Sequence, residues 1–320
     1  MYEVVALGEL LIDFTSNGKS DQGNSLFEAN PGGAPCNVLA MLAKIGHRTA
    51  FIGKVGGDIF GELLKSTISE LGIDSSGLMV DDAVNTTLAF VQTEPDGDRK
   101  FSFFRSPGAD TQLHKEEVKM DIIKNCKIFH FGSLSLTHEP AKTATQTAVS
   151  LAKESGAFIS FDPNLRAALW GNLNEAKEQI LWGCGSCDIL KIAEEELQFL
   201  CGNIPISEGA TWLLKKFPNI RILFVTKGKH GAEVFFKGIH VALPTYSEVK
   251  TIDTTGAGDT FCGCCLACIL EQDLNTMGKF ELTEMLRFAN AAASLVTSKK
   301  GAIRSMPSRD EIELLISTYK

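Results

Sequence analysis

The chain has 320 residues, 44% of them hydrophobic and 22% charged, which is enough apolar material for a full α/β core. Its formal net charge of −8 gives no broad attraction to nucleic acid or to an anionic membrane, so an anionic ligand needs a local positive site or a bound cation. No stretch approaches the roughly 18 consecutive apolar residues of a membrane span, and the opening Met1-Tyr2-Glu3-Val4 has no basic n-region, so a cytoplasmic protein without nucleic-acid or membrane partners is expected.

The run from Val4 to Asp13 reads as a buried strand ending on an acid. Residues 14–31 are polar and glycine-rich, a loop or small excursion. A helix is expected over 36–45, opening after Gly32-Gly33-Ala34-Pro35, then a strand over 50–55 and a helix over 58–71 stopped by Gly72. Short strands over 86–93 and 99–105 flank Glu94-Pro95-Asp96-Gly97-Asp98, and Asp-Gly between apolar runs is a hairpin signal. This hairpin and the earlier excursion predict a small β lid, from segments of about 14–31 and 84–107, inserted in a single domain spanning 1–320.

From Lys127 onward the two periods alternate. Strands are expected over 128–131, 157–162, 189–192, 222–226 and 232–236, and helices over 142–155, 174–183, 194–201, 207–217, 259–272 and 282–298. That alternation predicts a mostly parallel sheet with helices on both faces. Ligands then bind beyond the C-terminal strand ends, where Asp13, Asp162, Ile192 and Thr226 would share one rim. Among nine cysteines, Cys184/Cys187 and Cys265/Cys268 each read C-x-x-C, a zinc signal. However, Cys264, Cys265 and Cys268 alternate with Phe261, Leu266, Ala267 and Leu270, as small core residues would, and the odd count argues against a disulfide framework.

The most informative stretch is Asp253-Thr254-Thr255-Gly256-Ala257-Gly258-Asp259, followed at once by the apolar run from Phe261. Small residues leave backbone N–H groups bare and a helix N-terminus aims more of them in one direction, an anion cradle suited to phosphate. Asp259 stands there although a carboxylate opposes an anion, which points to a general base beside a phosphoryl-transfer centre. The plainer reading is a glycine turn with an Asp cap. Asp13, Gly32, Gly33 and Asn37 together suit the hydroxyls of a polyol, or else form an ordinary capped helix start. Asp58 reads as an N-cap. Asp162-Pro163-Asn164-Leu165-Arg166 projects polar groups from a strand end. Lys191-Ile192-Ala193-Glu194 leaves the next strand, and Glu194 either holds Mg2+ through water or simply favours the helix dipole. Thr226-Lys227-Gly228-Lys229-His230-Gly231 leaves a third strand with cations suited to phosphate. No Walker A, H-R-D, D-F-G or strand-one G-x-G-x-x-G pattern occurs.

Over nearly the whole chain, Val4 to about Pro307, these residues resemble the ribokinase-like (PfkB) carbohydrate kinases. The two signatures are Gly32-Gly33-Ala34-Pro35-Cys36-Asn37 and Asp253-Thr254-Thr255-Gly256-Ala257-Gly258-Asp259; Cys264 departs from the usual Ala or Gly. The resemblance implies a Rossmann-like three-layer α/β/α fold with a β lid. By it, Asp259 is the base, Gly256, Ala257 and Gly258 form the anion hole, and Asp13, Gly32, Gly33 and Asn37 hold the sugar. Glu194 matches an N-x-x-E acid tied to Mg2+, with Lys191 in place of the Asn. Asn164, Lys191, Thr226, Gly228, Gly231 and Asn290 fall on the nucleotide side, and Asp253 and Thr255 match ligands of a monovalent cation, K+, completed by carbonyls near Thr297 to Ala302. ATP, Mg2+ and K+ are the implied cofactors.

Phe104-Arg105-Ser106-Pro107-Gly108-Ala109-Asp110 and the Asp162 to Arg166 segment, with Leu169-Trp170, look like fructokinases. Phe103, Arg105 and Arg166 are then expected at the sugar. A 2-keto-3-deoxygluconate kinase is the rival, since two arginines suit a carboxylate, but Asp110 beside Arg105 disfavours an anionic substrate if both face the sugar. A nucleoside kinase would use Phe90, Phe101, Phe103 and Phe104 as a base pocket, whereas these phenylalanines otherwise form lid packing or the face of a homodimer. A catalytically silent sugar-binding relative is opposed by the intact Gly-Ala-Gly-Asp turn.

Overall fold

The computed structural model describes residues 1–93, 99–272 and 274–319. Strand β1 (Tyr2–Leu7) enters the core at once, with Val4 to Leu7 buried. At Gly8-Glu9-Leu10 the chain leaves for a second sheet, where β2 (Leu11–Lys19) pairs antiparallel with β3 (Ser25–Gly32). The single strand expected from Val4 to Asp13 is therefore two strands in two sheets. Both halves are buried, so the apolar run carries no mark of the break. Residues 14–31 form a hairpin, not a loop; its outer half is exposed on both faces, which removes the alternation that signals a strand.

There follow α1 (Ala34–Lys44), β4 (Thr49–Gly56), α2 (Ile59–Glu70), β5 (Asp74–Asp81), β6 (Leu88–Thr93) and β7 (Arg99–Phe104). The turn expected at Asp96-Gly97 lies outside the described residues. Asp58 caps α2 as its position suggested: Phe60 and Gly61 N–H donate to its Oδ1 at 3.0 and 2.9 Å, and Thr86 N–H to its Oδ2 at 2.7 Å. The rest of the chain runs α3 (Met120–Lys124), β8 (Cys126–Gly132), α4 (Ala141–Glu154), β9 (Phe158–Asp162), α5 (Leu173–Ser186), β10 (Ile189–Ala193), α6 (Glu194–Cys201), α7 (Ile206–Lys216), β11 (Ile222–Thr226), β12 (Ala232–Phe236), β13 (Ile239–Leu243), α8 (Ala257–Glu271), α9 (Lys279–Val296) and α10 (Arg309–Thr318). Strands β5 and β13 and helix α10 were not expected. Each is short or half-exposed, so neither period dominates.

The large sheet has the order β13-β12-β11-β10-β9-β8-β1-β4-β5. It is parallel from β5 to β11, and β12 alone runs against the rest, pairing antiparallel with both β11 and β13. One apolar cluster packs α1, α8 and α9 on one face, while α4, α5 and α7 cover the other. This burial on both faces explains the near-continuous apolar strands, such as β4 with every residue buried. The small sheet has the order β3-β2-β6-β7, with β2 and β6 parallel. Its Phe14 and Phe90 stack at 4.8 Å, and Phe27 and Phe104 meet Phe90 edge-on. Cys262, Cys264 and Cys265 are buried in α8, as small core residues.

Parallel strands end on one edge, so Asp162, Ala193 and Thr226 close β9, β10 and β11 side by side. Asp13 arrives from the small sheet instead of from this rim, paired with Asn30 and Ala89.

Candidate active site

Two cavities meet over that edge. One, of about 380 Å3, lies beneath the small sheet, between α1 and the start of α8. The other, of about 500 Å3, lies between the β11 exit, the loop after β13 and α9. Thr254 and Gly258 line both, so the turn into α8 is the passage between them.

That turn is built by Gly256, which sits at φ +76°, a left-handed conformation that a side chain resists. A Cβ there would also come within 2.5 Å of the Ala302 Cβ. Asp253 fixes the turn from below. Thr255 donates its N–H (2.9 Å) and its hydroxyl (2.7 Å) to Asp253 Oδ1, and Gly301 N–H donates to Oδ2 at 3.0 Å. The N–H groups of Ile252 and Asp253 both reach the Thr297 carbonyl. The N-terminus of α8 thus stands at the passage, with Ala257 N–H turned to the Thr254 carbonyl at 3.3 Å and the positive end of the helix dipole beside Gly258.

Asp259, in that first turn, is buried and lines the smaller cavity. Asn37 Nδ2 donates to its Oδ2 at 2.7 Å. Burial pushes the carboxyl up to about 6, Asp162 adds to the rise, and Asn37, Lys191 and Arg166 oppose it. A carboxylate with an affinity for protons near neutrality is suited to act as a general base. Lys191, at the end of β10, donates to Asp162 Oδ2 at 2.9 Å. Its Nζ lies 3.0 Å from where a Cβ on Gly258 would be, so this cation stands against the anion turn. Burial alone would lower Lys191, but Asp162, Glu196 and Asp259 outweigh it and hold it charged.

The smaller cavity gathers Asp13, Gly33, Asn37, Phe103, Asn164, Arg166, Lys191, Gly256, Gly258 and Asp259. Asn164 and Lys191, expected on the nucleotide side, thus stand on this side of the passage. Gly32 backs Asp13 instead of lining the cavity: a Cβ there would meet Asp13 Oδ2 at 2.5 Å. The larger cavity takes Thr226, Gly228, Gly231, Ala257 and Asn290. Asn290 Nδ2 donates to the carbonyls of Leu243 and Pro244 at 3.2 and 3.0 Å, so this side chain shapes the wall by holding the loop after β13.

One expectation changes. Arg105 lines neither cavity. It is buried in a pair with Asp110, with Nη2 to Oδ2 at 2.7 Å and Nε to Oδ2 at 2.8 Å, and its remaining donors reach Thr137 Oγ1 and the Leu134 carbonyl. The neighbouring Asp110 therefore neutralises the cation within the structure, not across the substrate. Glu194 is half-buried at the start of α6 and, like Asp162 and Glu196, adds nothing to the lining of either cavity. The acid turned inward is Glu196, which accepts from Leu165 N–H at 2.6 Å and Ala193 N–H at 2.8 Å and is raised by burial and by Asp162. Helix α6 starts at Glu194, so its third residue folds back over the helix start, and that capping-box spacing was the available signal. Glu9 was missed as well. It is a buried acid inside an apolar run and it lines the smaller cavity. Of the four small-sheet phenylalanines weighed as a base pocket, Phe103 alone among the described side chains lines a cavity.

The pfkB family carbohydrate kinase profile matches residues 1–309. The chain is 41% identical over 315 residues to Fructokinase-1 of Zea mays, covering 98% of this chain and 97% of the relative. It is 40% identical to Fructokinase-2 of Solanum habrochaites, again over 98% of the chain and 95% of the relative. Among solved structures, the ATP-bound fructokinase of Xylella fastidiosa superposes with a TM-score of 0.90 at 28% identity, covering 99% of each chain. The fructokinase of Vibrio cholerae O395 bound to fructose, ADP and calcium superposes with a TM-score of 0.88 at 31% identity, over 98% of this chain and 99% of the other. With a buried carboxylate at the mouth of an anion-binding helix, two adjoining cavities and this likeness along its length, the chain belongs to the pfkB family of carbohydrate kinases.

Proposed function

We propose that this protein is an ATP-dependent fructokinase, transferring the γ-phosphoryl group to O6 of D-fructose in the cytoplasm. The observation that carries the reading is Asp259, buried at the N-terminus of α8 where the two cavities meet, with its carboxyl raised to about 6. The sugar occupies the smaller cavity, with Asp13, Asn37 and the Gly33 backbone on its hydroxyls. ATP occupies the larger one, its phosphates against Gly228, Gly231 and the α8 turn. Asp259 takes the proton of the attacking hydroxyl. Lys191 and the first N–H groups of α8 stabilise charge on the transferring group, and transfer runs in line through the passage. The small sheet, as a lid within a single kinase domain, excludes water from the reacting phosphate.

Mg2+ bound with ATP would neutralise phosphate charge. Asp162, whose Oδ1 is buried without a protein partner, and Glu194, at the start of α6, would hold it through water. Asp253, Thr255 and the carbonyls from Thr297 to Ala302 form an oxygen-rich turn suited to K+. Loss of K+ activation in Asp253→Ala is expected, and undiminished activation would remove that site. Leu26, Phe27 and Phe104 are exposed on the small sheet, which supports a homodimer through it. A monomer mass by light scattering at assay concentration would count against that.

A neutral sugar is favoured over 2-keto-3-deoxygluconate because Arg105 is already neutralised by Asp110 and the smaller cavity presents the acids Glu9, Asp13 and Asp259. The test is ADP release from ATP with Mg2+ and K+ across D-fructose, 2-keto-3-deoxygluconate, D-ribose, adenosine and no acceptor. Turnover with fructose that vanishes in Asp259→Ala is expected. Turnover with the keto acid in preference to fructose refutes the assignment.

A further inference from the structure

Glu9 lies at the junction where the chain leaves the large sheet for the small one. The residue is 3% exposed and lines the smaller cavity. One oxygen, Oε1, accepts from Ala34 N–H at 2.8 Å, at the start of α1. The other, Oε2, is buried with no hydrogen-bond partner. The backbone makes this placement possible. Gly33 stands at φ +130°, and a Cβ there would come within 2.3 Å of the Glu9 carbonyl, so the α1 turn closes directly onto Glu9. The groups around the carboxyl are Arg105 and Asp110 from the segment after β7, Cys36 on α1 and the Ala34 N–H. Arg105 is engaged by Asp110, so it leaves Glu9 without a cation of its own. Burial raises the Glu9 carboxyl to about 7.

A helix cap needs one acceptor oxygen, and Oε1 supplies it. The second oxygen is left in a dry site, which is costly unless something pairs with it in the working complex. We propose that Glu9 is a specificity-determining residue of the sugar cavity, whose second carboxyl oxygen pairs with one hydroxyl of the bound sugar. A hydroxyl suits this position because it can donate to the ionised carboxylate or accept from the neutral acid. A carboxylate on the substrate does not suit it, since two acids would meet in a buried site. Glu9 thus selects a neutral polyol and positions it, while Asp259 acts on the reacting hydroxyl. The inference rests on the sugar reading of the smaller cavity.

The test compares kcat/KM for D-fructose with that for fructose analogues lacking one hydroxyl other than that on C6, in the wild type and in Glu9→Gln. The amide keeps an oxygen for the Ala34 N–H and replaces only the second oxygen. In the wild type, one analogue is expected to lose about tenfold to a hundredfold, the worth of a hydrogen bond to a buried charged group. The same analogue should lose roughly threefold or less in Glu9→Gln, with the change in KM and not in kcat. Equal losses in both proteins for every analogue would overturn the proposal and leave Glu9 as a cap. Wild-type turnover of fructose itself reports on the activity, separately from these ratios. A crystal structure of the wild type with whichever sugar it turns over reads Glu9 without the variant. A sugar hydroxyl within hydrogen-bond distance of Oε2 supports the assignment, and an Oε2 bonded to water or protein alone refutes it.

Discussion

Replacing Asp259 by Asn should abolish turnover and stabilise the ligand-free protein at the same time. The carboxyl is buried and its affinity for a proton is raised from 3.8 to about 6, first by burial and then by Asp162. The sign follows from linkage. Well below pH 3.8 the group is protonated in both states and imposes no penalty. As pH rises towards 6 it ionises in the unfolded chain while staying neutral in the folded one, so stability is lost across that window. Above pH 6 the folded protein carries the full cost, about 3 kcal/mol for a shift of roughly two units. Asn has no such charge, and its amide still has an oxygen to accept from Asn37 Nδ2. Urea unfolding of ligand-free protein at pH 8 should therefore show Asp259→Asn more stable by up to about 3 kcal/mol, and at pH 4.5 the difference should be much smaller. A variant no more stable than the wild type at pH 8 would show that Asn37, Lys191 and Arg166 fully compensate the buried charge. The strain assigned to the catalytic carboxylate would then not exist.

As general base Asp259 must be ionised, so kcat/KM should fall about tenfold per unit below pH 6. Lys191→Met removes a cation that lowers Asp259, so the acid limb should move to higher pH and kcat should drop by about 10²–10³. An unmoved limb in pH–rate profiles would detach Lys191 from the base. Arg105→Ala strands Asp110 as a buried, unpaired charge and should cost about 3–5 kcal/mol in urea unfolding, with Asp110→Ala in the same chain recovering part of it. A raised KM for fructose with unchanged stability would instead restore Arg105 to the sugar.

Much of this site was legible because its parts sit where local chemistry speaks loudest. The turn at Gly256 needs a residue that tolerates a left-handed backbone, and an acid three residues later breaks the expectation for an anion site. β10, α6, β11 and β12 could be read almost to the residue, since each is a short apolar strand or a capped helix bounded by punctuation. What failed was information carried by tertiary geometry. The inward turn of Glu196 was not legible, because Glu194 and Glu196 differ only in helical phase, which is set by where α6 begins. Arg105 and Asp110 were seen as neighbours, but whether they faced each other or the sugar depended on how the segment after β7 folds back. Glu9 was hidden because a strand crossing from one buried sheet to another looks, in sequence, like one long strand.

The distribution of charge also supports the proposed assignment of the two cavities. The described lining of the larger cavity contains no Asp or Glu, and it contributes Lys229 and His230 near the β11 exit. The smaller cavity carries Glu9, Asp13 and Asp259, with Arg166 and Lys191 among them. A nucleotide's phosphates are polyanionic and would be repelled by that second set, while an uncharged polyol offers hydroxyls that carboxylates bind well. On the proposed reading the phosphate chain extends through the acid-free cavity to the helix dipole at Gly256 to Gly258, where Lys191 stands across the turn. Beyond that point a phosphoryl group would meet Asp259, which would hold the terminal one beside the proposed base. A net charge of −8 is compatible with ATP binding for the same reason, because the acids on the path are confined to the side where only the sugar must go.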